Sequence, residues 1–214
     1  MSEIVDILPA LIQGTLITMQ VFFGVLVLSI PFGIVIGFLF QLPFRPLHWF
    51  LKGFIWIMRG TPLLLQLIFI YYILPGVGIR FDRFTAAILA FSLNYAAYFA
   101  EIFRGGISSI PLGQYEAAQV LKLSPLQTIR YVLLPQVIRT VLPSVFNEVT
   151  SLVKDTSLVY ALGISDLIMA SRTAANRDAS LVPMFVAGLI YLLVIGLITL
   201  LANKIEKKMN YMEV

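Results

Sequence analysis

The chain has 214 residues, of which 59% are hydrophobic and only 12% are charged, and its net charge is +4. A soluble domain carries roughly twice that charged fraction, so the composition excludes a soluble protein and predicts an integral membrane protein. Cysteine is absent, which excludes disulfide bonds, thiolate metal sites and cysteine nucleophiles. The positive charge suits the basic edges of a membrane protein and gives no indication of nucleic-acid binding.

Five apolar stretches predict five membrane helices, since a span needs about 20 apolar residues. After an interfacial lead-in, we expect the first span at about 15–40, and Arg45, His48 and Lys52 in the polar connection that follows. The second and third spans cover about 61–74 and 84–103. The fourth begins near Val141 and is ended by the polar segment 165–177, and the fifth covers about 181–202.

The distribution of lysine and arginine predicts the orientation, because cytoplasmic loops carry the excess of positive residues. With the N-terminus outside, ten of these residues fall on the inner side and four on the outer side. The inner residues are Arg45, Lys52, Arg59, Arg104, Lys122, Arg130, Arg139, Lys204, Lys207 and Lys208, and the outer ones are Arg80, Arg83, Arg172 and Arg177. The C-terminus and the loop around Glu116 are therefore expected in the cytoplasm.

One polar stretch, 116–127, which runs on to Pro135, lies between the apolar runs and predicts two short helices joined by a turn. Ser124 is a good N-cap, Pro125 suits the first helical position, and Gln127 completes a capping box. Upstream, Pro111 can open a short helix that carries Glu116. Such a helix at the membrane surface has a shape that a separate soluble protein could bind.

The E-A-A of residues 116–118 and the L-P of 134–135 resemble the cytoplasmic loop of ABC importer permeases. Three further motifs, at 59–62 (RGTP), 104–107 (RGGI) and 154–158 (KDTSL), resemble the polar amino acid branch of that family. The resemblance implies an all-α type I ABC importer permease fold with five transmembrane helices in a single domain, 1–214, and a coupling loop at about 105–139. It also implies that Glu116, Ala117 and Ala118 dock into a cleft of the ATP-hydrolysing subunit.

The same resemblance implies the partners. These are two ATPase subunits, a second permease copy in an expected homodimer, an extracytoplasmic solute-binding protein and an amino acid substrate, in the cell membrane of a prokaryote. One residue departs from the family pattern, because Lys122 stands where glycine is usual. If Lys122 ends the first short helix in a left-handed conformation, the non-glycine residue costs about 1 kcal/mol.

The sequence contains no G-x-x-x-x-G-K-[ST] motif, so a P-loop for ATP phosphates is excluded. The chain is therefore predicted to be a transport subunit without catalytic residues, metal or cofactor, with ATP bound by the partner. Two other classes stay open. An intramembrane enzyme would need Glu148 and Asp155 as its catalytic pair, and a passive channel or secondary transporter would show flux without ATP.

Charged residues inside a membrane span are candidates for function. Glu148 and Asp155 are seven residues apart and share a helix face, with Ser151 between them. Asn94 and Tyr98 share a face of the third span and are expected opposite them. Lys154 lies off the acidic stripe.

Thr61 could add a hydrogen bond in the same region, or could cap the helix that begins at Pro62. Glu101 is expected to pair with Arg104. An unpaired carboxylate in a low-dielectric site either takes up a proton or binds a cation. Two such acids favour arginine, lysine or histidine as the substrate. Neutralisation of one acid by Lys154 or Arg139 would instead suit glutamine or another neutral polar amino acid, and glutamate is a further alternative.

Overall fold

A computed structural model describes residues 2–210, with side chains described from residue 6 to residue 209. All regular structure within that range is helical, which confirms the all-α prediction. The α-helices are α1 (Ser2–Leu39), α2 (Arg45–Gly60), α3 (Leu63–Ile68), α4 (Arg83–Ser108), α5 (Leu112–Val120), α6 (Pro125–Gln127), α7 (Leu134–Asp155), α8 (Leu167–Asp178) and α9 (Val182–Asn210). Two π-helical segments, Phe69–Ile73 and Thr128–Leu133, and two 3₁₀ segments, Leu74–Val77 and Thr156–Leu162, continue α3, α6 and α7.

Within the described range, three helices are long and apolar enough to cross a membrane alone, namely α1, α4 and α9. Two bent pairs pass the same test when each is taken as one span. Residues 45–60 and 63–77 meet at 105°, and residues 125–162 and 167–178 meet at 58°. If each bent pair counts as one span, the two pairs and the three long helices give five spans, the number predicted from the sequence.

Several predicted boundaries are wrong. Helix α1 starts at Ser2 without a separate lead-in and continues through Pro9 and Pro31. The residues assigned to a polar connection after the first span belong to the amphipathic helix α2, whose buried face includes Leu51 and Ile55. An average of hydropathy misses such a helix, because its exposed face is basic. Likewise α7 begins at Leu134, and the polar segment after the fourth span contains α8.

Helices α1 and α4 pack closely because glycines of α1 face aromatic residues of α4. A Cβ added at Gly37 would lie 2.9 Å from the Cβ of Phe103, and one added at Gly33 would collide with Phe99. Small residues of this kind let two membrane helices approach backbone to backbone. The buried rings of Phe91 and Phe99 place α4 at the centre of the bundle.

The bend between α2 and α3 follows from Gly60-Thr61-Pro62. Proline lacks an N–H and favours an extended residue before it, and Thr61 has φ −119° and ψ 146°. The bend leaves the Met58 and Thr61 carbonyl groups without helical partners. The Gln66 amide donates to both, over 2.9 and 3.2 Å, and Asn94 donates to Met58 over 2.8 Å. These bonds fix the bend against α4.

Candidate functional site

A cavity of about 610 Å³ lies between the α2–α3 bend, α4 and α7. We refer to it as the polar cavity. Its lining residues are Arg59, Gly60, Thr61, Pro62, Leu63, Asn94, Tyr95, Tyr98, Glu148, Ser151, Lys154 and Asp155. All six residues that the sequence singles out for substrate binding are among them, from three separate elements of the chain.

The two carboxylates of α7 carry the negative charge of the polar cavity. Both are half-buried, and the Tyr95 hydroxyl donates a 2.7 Å hydrogen bond to Oδ2 of Asp155. Among the described side chains, no lysine or arginine nitrogen lies within 4.0 Å of Glu148 or Asp155. The acids thus lack a direct ion pair in this conformation.

Two cations, Arg59 and Lys154, line the same cavity, and Lys154 is one of the two residues that the sequence suggested as a partner for one acid. Arg59 lies with its Cζ 5.0 Å from the centre of the Tyr98 ring, a cation–π geometry, and Lys154 is exposed at the wall. The Nη1 of Arg59 also approaches Oε2 of Glu101 at 3.7 Å. Among the described side chains this long contact is the single ion pair of Arg59, so its guanidinium can still bind another anion.

The expected pairing of Glu101 with Arg104 is confirmed. Arg104 holds both carboxylate oxygens, through Nη2 at 2.8 Å and Nε at 3.1 Å. A bidentate contact is stronger and more directional than a single one. Glu101 is therefore neutralised by Arg104 and lies outside the lining of the polar cavity.

Asn94 and Thr61 line the cavity, but their side chains form hydrogen bonds with residues on either side of the α2–α3 bend. Asn94 donates to Met58 and to the Gln66 side-chain oxygen, over 2.8 and 3.0 Å. The Thr61 hydroxyl donates to the Ile57 carbonyl over 2.8 Å and accepts from Gln66 over 2.7 Å. Helix α3 has no side-chain N-cap, so the alternative capping role for Thr61 before Pro62 is wrong. Both residues hold the shape of the cavity.

The loop at 105–139 has the predicted capping box. The Ser124 N–H donates to Gln127 Oε1 over 2.8 Å, and the Gln127 N–H donates to Ser124 Oγ over 3.3 Å. Helix α5 ends in a Schellman motif, since the Leu123 N–H donates to the Ala118 carbonyl and the Lys122 N–H to that of Gln119. Lys122 has φ +53°, which confirms the left-handed position.

The side chains of α5 do not all face outward. Glu116 and Ala117 are exposed, whereas Ala118 is 2% exposed. Docking of Ala118 with a partner stays a prediction, and in this structure its position on α5 turns its side chain into the protein. Apolar side chains nearby, at Val120 and Leu121, are instead exposed.

Tyr95 and Arg59 line the cavity without having been predicted as site residues, and Lys154 was considered only as a possible partner of one acid. A signal existed for Arg59, which belongs to the R-G-T-P stretch at the predicted start of a span. Tyr95 gave none, since its neighbour Asn94 was taken to define the polar face. No group of three His, Asp or Glu residues able to hold a metal ion occurs in the part of the chain that the structure describes.

Comparison with known proteins agrees with this architecture. Residues 29–211 match the family model described as binding-protein-dependent transport system inner membrane component. The arginine transport system permease protein ArtQ of Bacillus subtilis is 34% identical over 98% of this chain and 96% of its own length. The putative glutamine transport system permease protein GlnP of Rickettsia felis is 36% identical over 93% and 92%, respectively.

Two solved structures extend the comparison to the fold. A crystal structure of an amino acid ABC transporter with histidines has a TM-score of 0.88 and 30% identity, over 96% of both chains. An inward-facing MetNI methionine ABC transporter has a TM-score of 0.72 over 95% of both chains; at 18% identity it supports the fold alone. The chain therefore belongs to the permease family of binding-protein-dependent ABC importers, as a non-enzymatic amino acid transport subunit that works in the membrane with an ATPase and a binding protein.

Proposed function

We propose that this permease imports cationic amino acids and holds them in the polar cavity. The observation that carries the proposal is the pair Glu148 and Asp155, two carboxylates on one face of α7 without an ion pair among the described side chains. Buried carboxylates without cations are costly, and an incoming cation relieves that cost. A substrate with an α-ammonium and a cationic side chain would satisfy both acids.

Arg59 supplies the complementary charge. A guanidinium binds a carboxylate through two parallel hydrogen bonds, and the long contact of Arg59 with Glu101 leaves it available for the α-carboxylate of a substrate. In this arrangement Arg59 and Tyr98 face the carboxylate end, and the two acids of α7 face the cationic groups. Ser151, Asn94 and Thr61 complete the polar wall.

Neutral polar amino acids are the second candidate. Lys154 lines the cavity together with Arg59, so the four charged side chains sum to zero. A zwitterionic substrate such as glutamine would keep that balance. The names of the relatives include an arginine and a glutamine permease, which allow either class, and a glutamate/aspartate permease, which represents a third.

Coupling to ATP hydrolysis is proposed to pass through α5. Exposed Glu116 and Ala117, with the exposed apolar residues Val120 and Leu121, would form the surface that enters the ATPase cleft, and Lys122 would shape the turn beside it. We further propose two copies of this chain with two ATPase subunits. The lysine and arginine distribution supports an external N-terminus and a cytoplasmic C-terminus.

The substrate assignment is tested with the purified permease–ATPase complex in proteoliposomes. Glu148→Gln and Asp155→Asn should each weaken arginine binding at least tenfold, about 1.4 kcal/mol. Glu206→Gln, the same change away from the cavity, is the matched control and should bind arginine normally. Normal arginine binding by both cavity variants, or a preference of the parent for glutamine, would refute the cationic assignment.

A further inference from the structure

One exposed face of α2 carries cations and tryptophans, each type repeating every seven residues. Arg45, Lys52 and Arg59 follow one another at intervals of seven residues, and so do Trp49 and Trp56. Seven residues are close to two helical turns, so each series forms a stripe and the two stripes are adjacent. Trp49 and Trp56 are 81% and 77% exposed, which leaves the face open along its length.

Between α2 and α4 this face includes a second cavity, of about 380 Å³, lined by Lys52, Ile55, Trp56, Arg59, Gly60 and Glu101. We refer to it as the α2 pocket. Its one carboxylate, Glu101, is held at both oxygens by Arg104. Arg59 and Gly60 lie between the α2 pocket and the polar cavity, because they line both. The charge left in the α2 pocket is therefore positive.

Two exposed cations of this face, Arg45 and Lys52, lack an acidic partner in the part of the chain that the structure describes. The exposed tryptophans Trp49 and Trp56 lie beside them on the same side of the helix. Cations beside an exposed tryptophan surface are the composition of helices that lie at a membrane interface. An anion from the surroundings would complete this site.

We propose that the α2 pocket binds the headgroup of an anionic phospholipid. Lys52 would hold the phosphate, Arg45 would add positive potential, and Trp49 and Trp56 would lie along the glycerol and upper acyl chains. The negative surface potential of an anionic membrane attracts basic residues that lie near it. Helix α2 is 16 residues long, about 24 Å, and too short to cross a bilayer alone. One end of it must therefore lie near the headgroups.

A second copy of this chain fits the same face poorly. A two-fold interface places the same surface of each copy against the other, so the cations of one copy would face a surface that carries the same cations. Like charges without intervening acids repel, and the face offers no free carboxylate. A lipid phosphate has the complementary charge and also leaves the tryptophans in contact with acyl chains.

The test uses native mass spectrometry of the permease–ATPase complex, with phosphatidylglycerol or phosphatidylcholine added in detergent. The parent should retain phosphatidylglycerol in preference to phosphatidylcholine, and R45Q/K52Q should lose at least four-fifths of it. K207Q/K208Q, which removes two positive charges from α9, is the matched control and should retain the lipid. Arg59 stays unchanged, so arginine binding reports separately on the polar cavity.

Equal retention of phosphatidylglycerol by the parent and R45Q/K52Q would overturn the proposal. Displacement of the lipid by millimolar inorganic phosphate would show a phosphate site instead, and would overturn it too. Because the sequence contains no cysteine, W56C provides a unique thiol. Disulfide-linked permease pairs formed through that thiol in membranes would show that a second copy covers this face. If R45Q/K52Q does not assemble, K52Q alone gives the same measurement.

Discussion

The Tyr95 hydroxyl donates a hydrogen bond to Asp155 over 2.7 Å and so joins α4 to α7 at the wall of the polar cavity. The contact fixes one of the two acids while leaving its other carboxylate oxygen open to the cavity. A hydrogen bond to a charged group contributes about 1.5–3 kcal/mol. Tyr95 is therefore a positioning residue for Asp155.

Replacement of Tyr95 by phenylalanine should weaken arginine binding about tenfold, because Asp155 loses the group that orients it, and tenfold corresponds to about 1.4 kcal/mol. Equilibrium binding of radiolabelled arginine to the purified complex measures the change. Tyr72→Phe removes a hydroxyl from an exposed tyrosine outside the cavity and serves as the control. Equal affinity in Tyr95→Phe and the parent would mean that Asp155 needs no orientation for binding.

The role of Arg59 can be tested by comparing two ligands, one with and one without a carboxylate, rather than by measuring the affinity for one substrate alone. The parent should prefer arginine to argininamide, which lacks the carboxylate, and Arg59→Gln should reduce that preference at least tenfold. A loss of this kind is specific to a residue that contacts the carboxylate, since a general structural defect would weaken both ligands together. The measurement is competition binding with the two ligands.

Arg80→Gln, on an exposed loop, is the control for this competition assay and should keep the parent preference. If Arg59→Gln still discriminates arginine from argininamide as the parent does, the carboxylate is bound elsewhere in the cavity. If the parent prefers glutamine, the same comparison can be made with glutamine and glutamine amide. The orientation of the substrate is then tested independently of its class.

Two neighbouring alanines of α5 should respond differently to tryptophan. At exposed Ala117 the larger side chain should block docking, so substrate-stimulated ATP hydrolysis is lost while the permease keeps its thermal stability. At buried Ala118 it must displace the protein interior, and overpacking costs about 1–3 kcal/mol. Thermal unfolding of the isolated permease distinguishes the two variants, because only Ala118→Trp should lower the midpoint temperature of unfolding. Glu116→Lys should resemble Ala117→Trp, and unchanged stimulation in both would contradict the proposed docking surface.

Lys122 provides a test of the turn that ends α5. Lys122→Gly should be neutral or stabilise the loop by about 1 kcal/mol, since glycine adopts positive φ without strain. Lys122→Pro should uncouple transport, because proline fixes φ near −65° and removes the N–H that donates to Gln119. Uptake in proteoliposomes measures the loss, and limited proteolysis of the loop measures its local stability. Normal uptake by the proline variant would contradict a role for this turn in coupling.

Local signals predicted the local structures. The capping box at Ser124 and Gln127, the left-handed Lys122 and the pairing of Glu101 with Arg104 each involve residues within a few positions of one another. Span boundaries were predicted less well. Hydropathy averages did not detect α2, because its exposed face is basic. Prolines usually mark helix ends, but here they lie inside α1 and α7. Membrane helices tolerate proline, because neighbouring groups satisfy the freed carbonyl groups.

The sequence by itself determined the class of this protein: its composition required a helical membrane protein, and its motifs indicated the permease family. It also placed Glu148, Ser151 and Asp155 on one face, because the period of a helix is fixed. Only the tertiary structure decided which faces meet. The 105° bend at Gly60-Thr61-Pro62 brings Arg59 to the cavity of those acids, and the packing of α5 buries Ala118 beside exposed Ala117. Such contacts join residues far apart in the chain, and helical periodicity within one segment carries no information about them.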